Sequence, residues 1–255
     1  MTNGLEKQSE TQDEEQTFLQ HFEALRSMLI RSIVSVVVLS PLGFWAAPKF
    51  IDFLIKKSLP QGIAKLHYFS PMEVFIIQLK AGLIIAFVLA FPYIVVQVRK
   101  FVLPALYEHE RKFLGWLVVL ATFLFVLGAA FCVFVIMPLI MNFSAVFATS
   151  QLEATLGLES FINLAAGMML AFGLMFQVPL VVLIGIKFGL VSVEVLEKAR
   201  PYVIVGILIL AAIFTPPDVV SQLMLGVPTW LLFEAGVFAA RFIEKKSDKN
   251  ISKVN

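Results

Sequence analysis

Apolar residues in this chain form long continuous runs separated by short polar stretches. A helix needs about 20 residues to cross the roughly 30 Å hydrocarbon layer of a membrane, and most of the runs approach that length. The runs are continuous rather than alternating, which favours helices over barrel strands. The pattern therefore predicts six membrane-spanning helices, at about Met28–Ala47, Val74–Val98, Phe113–Met141, Phe161–Ile186, Tyr202–Phe214 and Gln222–Ala240.

The fifth run is shorter than the others. Pro201 and Pro216 bracket it, and a proline cannot continue the hydrogen-bond ladder of a helix. The residues between the two prolines would span only about 21 Å. A helix of this length must thin the lipid locally, pack against protein or border a water-filled space. Helices 5 and 6 are both expected to be short and to lie close together.

The segment after the first run, between Pro48 and Glu73, mixes Phe, Ile and Leu with lysines at helical spacing. Such a segment is typical of a short helix that lies in the membrane interface. We expect this interfacial helix to follow the first membrane helix and to cover one face of the molecule.

The composition agrees with a lipid environment. Of the 255 residues, 59% are hydrophobic and 15% are charged, and the mean hydropathy is +0.89, far outside the range of soluble domains. Residues 1–17 are polar and acidic, so we expect a disordered tail there rather than a signal sequence. Residues 243–255 form a basic tail, which leaves 18–242 as one all-α integral membrane domain.

Lysine and arginine are distributed unevenly between the two sides of the membrane. With six helices both termini lie on one side, and 15 of the 20 Lys and Arg residues fall on that side. Four fall on the other side, all in the loop after the first helix, and Lys80 lies just inside the second helix. Positive residues concentrate on the cytoplasmic side of membrane proteins, so both termini are predicted to be cytoplasmic.

Polar residues inside the predicted helices are candidates for function, because such groups are costly in lipid and face a protein interior or a wet cavity. Gln177, two residues before Pro179, lies in helix 4 and close to the midplane of the membrane. Its amide either bonds a neighbouring helix of the same chain or receives the helix of a partner protein. The same two alternatives, an internal partner and a contact with another protein, apply to Glu234 in helix 6.

Glu73 and Lys80 lie at the start of helix 2, seven residues apart and therefore on one helix face. Ser70 precedes Pro71, and Glu73 follows Ser70 by three residues, which resembles a capping box. The sequence predicts a capping role for Glu73. It also predicts that the Lys80 side chain extends towards the membrane surface.

The loop Gln97–Phe113, on the predicted cytoplasmic side, is dense in charge. Glu108 and Glu110 lie among four basic residues. A carboxylate can bind a guanidinium group through two parallel hydrogen bonds, so these glutamates suit the recognition of arginine. A solvated loop whose charges only set the topology is the alternative.

Enzyme motifs do not occur in the sequence. His21, His67 and His109 are scattered, and HERKF lacks the second histidine of a zinc-binding helix. Cys132 is the single cysteine, so an internal disulfide and a thiolate cluster are excluded. Neither a GxSxG elbow nor a GxxxxGK[ST] loop is present, and an intramembrane aspartyl protease needs two membrane aspartates where only Asp218 lies near a run. We expect no enzyme, metal site or cofactor.

Two non-enzymatic functions remain. One is a secondary transporter or channel with a polar site at the midplane, and the other is a receptor that docks membrane proteins or peptides. A transporter is expected to have repeated broken helices with several midplane charges, and these are nearly absent. One midplane amide and a charge-rich cytoplasmic loop favour the receptor.

Several stretches together resemble the TatC family, the multispanning receptor of the twin-arginine protein translocase. The resemblance covers about residues 20–242. Its most specific part is TPPD followed by SQ, between two short apolar runs. The matching stretches are HFEALR (21–26), SPMEVFIIQLKAGL (70–83), PYIVVQVRKFVLPALYEHERK (92–112), FGLMFQVP (172–179) and RPYVIVGILILAAIFTPPDVVSQLMLGVPTWLLFEAG (200–236).

The resemblance implies six transmembrane helices in a cup or glove shape, embedded in the lipid of a bacterial inner membrane, with both termini cytoplasmic. It implies recognition of the twin-arginine signal peptides of folded precursors together with a TatB-like protein. It further implies assembly of TatA-like subunits, driven by the proton motive force. The protein would act in a multimeric complex, without cofactor, nucleotide or nucleic acid.

On this resemblance, Glu110 matches the loop glutamate of the family that contacts the arginine pair of the signal peptide. Phe101 and Pro104 match the loop residues before it. Gln177 occupies a position where the family usually has a membrane-buried glutamate. An amide forms hydrogen bonds but does not ionise, so any contact made here with the helix of a TatA-like or TatB-like protein involves no ion pair.

The amino-terminal motif of the family reads HLxELR, and HFEALR departs from it. The glutamate position holds Ala24, and a glutamate stands one residue earlier, at Glu23. On a helix this shift rotates the carboxylate by about 100°. Glu23 and Arg26 are therefore assigned to the signal-peptide site, with Glu23 expected to replace the missing acidic contact only in part.

The turn between helices 5 and 6 combines Pro216, Pro217, Asp218, Ser221 and Gln222. The two prolines end helix 5, and Asp218 is positioned to cap helix 6 by accepting its first free amide hydrogens. We expect the turn on the extracytoplasmic side. A role for Asp218 beyond capping rests on the resemblance alone.

Overall fold

The computed structural model describes residues 3–59, 66–102, 111–146, 157–214 and 219–251. Nearly all of these residues are helical, and extended pairing among them is limited to one isolated bridge between His67 and Gly157. The helices are α1 (Asn3–Ser58), α2 (Pro71–Val102), α3 (Arg111–Phe131), α4 (Met137–Val146), α5 (Leu158–Met175), α6 (Val178–Lys187), α7 (Val193–Lys198), α8 (Arg200–Phe214) and α9 (Val219–Ile251).

Within the described residues, five helical stretches are long and apolar enough to cross a membrane. A shorter apolar helix, α8, corresponds to the fifth predicted run. The prediction of an all-α membrane protein is therefore confirmed, whereas the division of the chain at residues 18 and 242 stays a prediction. The five stretches are His21–Ser58, Pro71–Phe101, Gly115–Ser144, Leu158–Lys187 and Val219–Arg241.

The first helix is longer than the sequence indicated at both ends. Residues 3–17, expected to be a disordered tail, are part of α1. Glu and Gln, which are abundant there, are good helix formers and extend a helix that already exists. The prediction of a separate interfacial helix after Pro48 was wrong, because α1 continues as one helix to Ser58.

Packing accounts for the continuation of α1 beyond Pro48. Ile51 and Leu54 are buried in the main apolar core. Phe53 contacts the edge of Phe134, with ring centroids 6.0 Å apart, and the Lys57 ammonium lies 5.2 Å from the centre of the same ring. These contacts stabilise the last turns of α1, since tertiary packing contributes more to helix stability than local propensity does.

Prolines mark the irregular turns of the third and fourth spans. Between α3 and α4 the backbone forms one π-helical turn, Cys132–Ile136. Pro138 stands two residues after this turn, and the wider turn relieves the clash that a proline makes with the preceding helical turn. In the fourth span the helix breaks at Gln177, and α6 resumes with Pro179 in its first turn, where no backbone N–H is needed.

The last two helices differ from each other in length. Helix α8 has 15 residues, as expected for a short fifth helix. Helix α9 has 33 residues, because it continues beyond its apolar part, 219–241, into a lysine-rich segment. Polar helix formers outside the membrane extend a helix at little cost, and the apolar pattern does not detect them.

A close backbone contact joins α1 and α2. A Cβ atom on Gly43 would lie 2.1 Å from the carbonyl oxygen of Gly82, and a Cβ atom on Gly82 would lie 2.9 Å from backbone atoms of Phe44. Backbone atoms cannot move aside as the end of a side chain can. Glycine at both positions therefore lets the two helices approach closely enough for the van der Waals packing that holds helices together in lipid.

Aromatic packing joins α2, α3 and α5 in the interior. Phe91 stacks on Phe125 with ring centroids 3.8 Å apart. Phe125 is fully buried and lies against Gly173, where an added Cβ atom would be 2.4 Å from the ring. This contact lies one turn before Gln177 and holds the midplane part of α5 against α3.

Gly43→Ala is expected to lower the free energy of unfolding by about 1–3 kcal/mol, the usual cost of overpacking. The matched control is Gly206→Ala in α8, because a Cβ atom there meets nothing within 4 Å. Alanine has a higher helix propensity than glycine, so this variant should leave the free energy of unfolding unchanged or raise it by up to about 1 kcal/mol. The measurement is thermal unfolding of the purified protein in detergent, and equal unfolding temperatures for the two variants would contradict the packing argument.

Candidate functional site

The HFEALR motif lies beside the end of α2. The rings of His21 and Phe101 are in tilted contact, with centroids 4.5 Å apart, and Phe101 is in the last turn of α2. The contact brings the motif next to the start of the charged loop, whose predicted site residues Pro104 and Glu110 lie outside the described residues. His21 was not among the predicted site residues. Its aromatic ring, inside a motif that resembles the family, could have identified it as a candidate.

Glu23 lies on a different side of α1 from this contact. At 100° per residue, Glu23 is about 160° around the helix from His21, whereas Ala24 is about 60° away. Glu23 and Arg26 are both exposed, and three residues apart they lie on neighbouring positions of one face. Moving the glutamate from the position of Ala24 to that of Glu23 therefore takes it from the α2 side of α1 to the outer side.

A cluster of polar side chains joins the start of α2 to the start of α5. Lys80 Nζ lies 2.8 Å from Glu159 Oε1 and 3.0 Å from Asn163 Oδ1. The sequence did not indicate these partners, because they are on a helix that is distant along the chain, and the extension of Lys80 towards the membrane surface stays a prediction. The paired side chains are 39% and 45% exposed, so solvent screens the ion pair and it adds little to stability.

Glu73 accepts hydrogen bonds beside the starts of two helices. Its Oε2 accepts a hydrogen bond from the N–H of Phe69 at 2.7 Å, and its Oε1 accepts one from the N–H of Glu159 at 3.3 Å. Ser70 Oγ accepts a hydrogen bond from the N–H of Met72 at 3.3 Å. The Ser70 hydroxyl therefore bonds the first turn of α2, whereas Glu73 bonds Phe69 just before the helix and not the Ser70 N–H of a capping box. The same carboxylate also satisfies a free amide at the start of α5.

Gln177 bonds a neighbouring helix of the same chain. Its Nε2 donates to the carbonyl oxygen of Ala121 in α3 at 3.1 Å and to that of Gly173 in α5 at 3.4 Å. The backbone N–H of Gln177 donates to the carbonyl oxygen of Leu174 rather than to that of Gly173. The helix break therefore leaves the Gly173 carbonyl without this backbone partner, and the Gln177 side chain donates to it instead. The internal alternative thus accounts for the amide donor of this residue.

Glu234 also has an internal partner. Arg200 Nε lies 2.9 Å from Glu234 Oε1, and Arg200 Nη2 donates to Oε2 at 3.0 Å. Only the Nη2 contact has hydrogen-bond geometry, because Arg200 Nε is buried without a hydrogen-bond partner. The contact is therefore an ion pair with one charge-assisted hydrogen bond. A second pair joins Arg241 at the end of the apolar part of α9 to Glu197 in α7.

The start of α9 is tied to α8. Gln222 Nε2 donates to the carbonyl oxygen of Leu208 at 3.0 Å, and Ser221 is buried. Because α9 begins at Val219, the residue before it occupies the sequence position from which a cap acts. Outside the described residues lie Pro216, Pro217 and Asp218.

The described residues contain no group of three or more His, Cys, Asp or Glu side chains that could hold a metal ion. Their polar groups form hydrogen bonds and ion pairs between helices and at helix ends. Such groups can position helices and bind a peptide or a partner helix. The arrangement is that of a binding scaffold.

A family model described as Sec-independent protein translocase protein (TatC) matches residues 20–228. The chain is 34% identical over 235 residues to the protein of that name from Escherichia coli O6:H1, covering 90% of each. It is also 34% identical over 239 residues to the one from Aquifex aeolicus, covering 92% of this chain and 98% of the relative. A crystal structure of the twin-arginine translocase receptor TatC aligns with a TM-score of 0.78 at 33% identity, covering 87% of this chain and 98% of that one.

Gln177→Leu removes the side-chain donor to Ala121 and Gly173. We expect it to lower the free energy of unfolding by about 0.5–2 kcal/mol, the range for hydrogen bonds in membranes and for carbonyls that lose a partner. The control is Asn142→Leu, which replaces an exposed amide in α4. The measurement is thermal unfolding in detergent. A Gln177→Leu protein that keeps full stability but loses association with a partner helix would instead favour the external alternative.

Proposed function

This chain belongs to the TatC family of twin-arginine protein translocase components, and on that premise we propose that it binds the twin-arginine signal peptides of folded precursor proteins. It is a multi-pass membrane protein and a subunit of a Tat complex. The observation that carries the proposal is the contact between His21 and Phe101, because it brings the HFEALR motif to the start of the charged loop.

Carboxylate chemistry explains how the site would read a pair of arginines. Glu110 can accept two parallel hydrogen bonds from a guanidinium group, whereas a lysine ammonium acts only as a point charge. Phe101 and Pro104, which precede Glu110 in the same stretch of sequence, are the apolar residues assigned to the site. Glu23 and Arg26 lie on the outer face of α1, so Glu23 supplies a second carboxylate only at the margin of the site, and Glu110 carries most of the recognition.

The proposed orientation places both termini and the peptide site in the cytoplasm. The excess of Lys and Arg on that side supports it. The protein would lie in the inner membrane of a bacterium and act with TatB-like and TatA-like single-span proteins. Export of the folded precursor would be driven by the proton motive force.

The internal bonds of the polar side chains favour a receptor over a secondary transporter. A transporter needs polar groups near the midplane that are free to bind substrate. Lys80, Gln177 and Glu234 instead bond other helices of the chain. These residues therefore support the helix scaffold, and peptide recognition is assigned to the cytoplasmic face.

Glu110→Ala is expected to weaken capture of a twin-arginine signal peptide by roughly ten- to a hundredfold, the effect of losing charge-assisted hydrogen bonds. The matched control is Glu108→Ala, which removes a carboxylate from the same loop and should retain most of the binding. The measurement is fluorescence anisotropy of a labelled peptide with protein in detergent. A peptide in which both arginines are lysines should bind weakly to every variant. Equal peptide capture by Glu110→Ala and Glu108→Ala would contradict the assignment of Glu110.

Asp218→Asn is expected to retain export of a twin-arginine reporter, because the asparagine oxygen caps a helix as well as that of aspartate does. Asp218→Leu cannot cap and should lower the free energy of unfolding by about 1 kcal/mol. Export and membrane level are measured for both variants in cells. A severe export defect of Asp218→Asn at a normal membrane level would show that the charge itself is needed.

A further inference from the structure

Helix α8 buries little of its own surface. Its buried residues are Ile207 and Ala211, whereas the side chains of Val205, Ile209 and Ile213 are 56%, 57% and 69% exposed. Apolar side chains are equally well solvated by lipid and by a neighbouring helix. The position of α8 therefore depends on specific contacts rather than on apolar burial.

Polar contacts tie α8 to α9 at two levels. Arg200, the first residue of α8, forms the hydrogen-bonded ion pair with Glu234. Two turns further along, the carbonyl oxygen of Leu208 accepts the hydrogen bond from Gln222. At the second level the same residue approaches Gly226, where an added Cβ atom would lie 3.5 Å from Leu208 Cδ2. The two helices are antiparallel and close along this face.

The second ion pair continues the first along the same helix. Arg241 is seven residues after Glu234, so both lie on one face of α9, and Arg241 pairs with Glu197. The charges alternate on both sides of the contact. Displacing α8 along α9 in one direction moves Arg200 towards Arg241, and the opposite displacement moves Glu197 towards Glu234. Like charges oppose each other in both cases, which disfavours both displaced arrangements.

We propose that Glu197, Arg200, Glu234 and Arg241 form a charge lock that sets the position of the short helix α8 along α9, and therefore across the membrane. Arg200 and Glu234 are its main positioning residues, because their side chains are less exposed than those of Arg241 and Glu197 and the hydrogen bond from Arg200 Nη2 gives their ion pair a direction. The lock goes beyond the proposed peptide binding and does not depend on it.

Disulfide cross-linking in native membranes can test the lock. Cys132 is the single cysteine of the chain, so Cys132→Ala provides a background without other thiols. Leu208→Cys with Gly226→Cys reports the position of α8 seen in the structure. Leu208→Cys with Thr229→Cys reports a displacement of about one helical turn. In the background protein the first pair should cross-link and the second should not.

Reversing one charge should displace α8. Arg200→Glu is expected to reduce the first cross-link by about fivefold or more and to increase the second, because two carboxylates then face each other. Adding Glu234→Arg to it should restore at least about half of the first cross-link, since opposite charges face each other again. The matched control is Glu194→Lys, which reverses an exposed charge on α7 outside the lock and should change neither cross-link.

Unchanged cross-links in Arg200→Glu, or an equal change in Glu194→Lys, would overturn the lock. If Arg200→Glu does not accumulate in the membrane, the neutral variants Arg200→Gln and Glu234→Gln decide the question. Each should reduce the first cross-link by about twofold or more, and no reduction in either would also overturn the lock. Twin-arginine peptide capture is measured on the same membranes, and its absence in the unaltered protein would count against the proposed function alone.

Discussion

A polar group inside a membrane must find its hydrogen-bond partner within the protein, because the hydrocarbon offers none. This constraint requires helices for the spans, and it also decides where the helices are joined. Lys80, Gln177 and Glu234 each bond a group on another helix. Apolar packing holds the spans together over most of their length, and these polar contacts specify the relative positions at which they pack.

The spans could be predicted from the sequence because continuity and length of an apolar run are local properties. Their polar contacts could not, because the partners are distant along the chain. The only carboxylate on α2 is that of Glu73, two turns from Lys80. Local sequence therefore suggested that Lys80 extends to the membrane surface, whereas its partner Glu159 is 79 residues away along the chain. The extension of α1 to Ser58 has the same origin, since burial of Leu54 depends on helices that follow later in the chain.

The candidate peptide site could be predicted in part. The HFEALR and loop motifs identified its components, and the rotation of about 100° between positions 23 and 24 follows from helix geometry alone. Helix geometry does not tell which side of α1 faces α2. That side is known only once a residue of the motif has a contact in the structure. The contact of His21 with Phe101 supplies that reference, and it places Glu23 on the outer side of α1 and Ala24 nearer to α2.

The lengths of α1 and α8 connect the polar contacts to the membrane itself. Arg31 and Lys49 flank the apolar part of α1, and their separation corresponds to about 27 Å of helix. The Lys49 ammonium lies over the ring of Trp45, and aromatic residues favour the interface between lipid and water.

The 15 residues of α8 rise about 22 Å. Two spans of unequal length match a flat bilayer only if the longer one tilts or the lipid thins at the shorter one, and a mismatch of a few ångströms costs only fractions of a kcal/mol per ångström. Lipid alone would therefore let α8 slide or tilt to match its surroundings. Contacts with α9 at both levels of α8 oppose that adjustment, so that the lipid beside α8 must adapt to the helix.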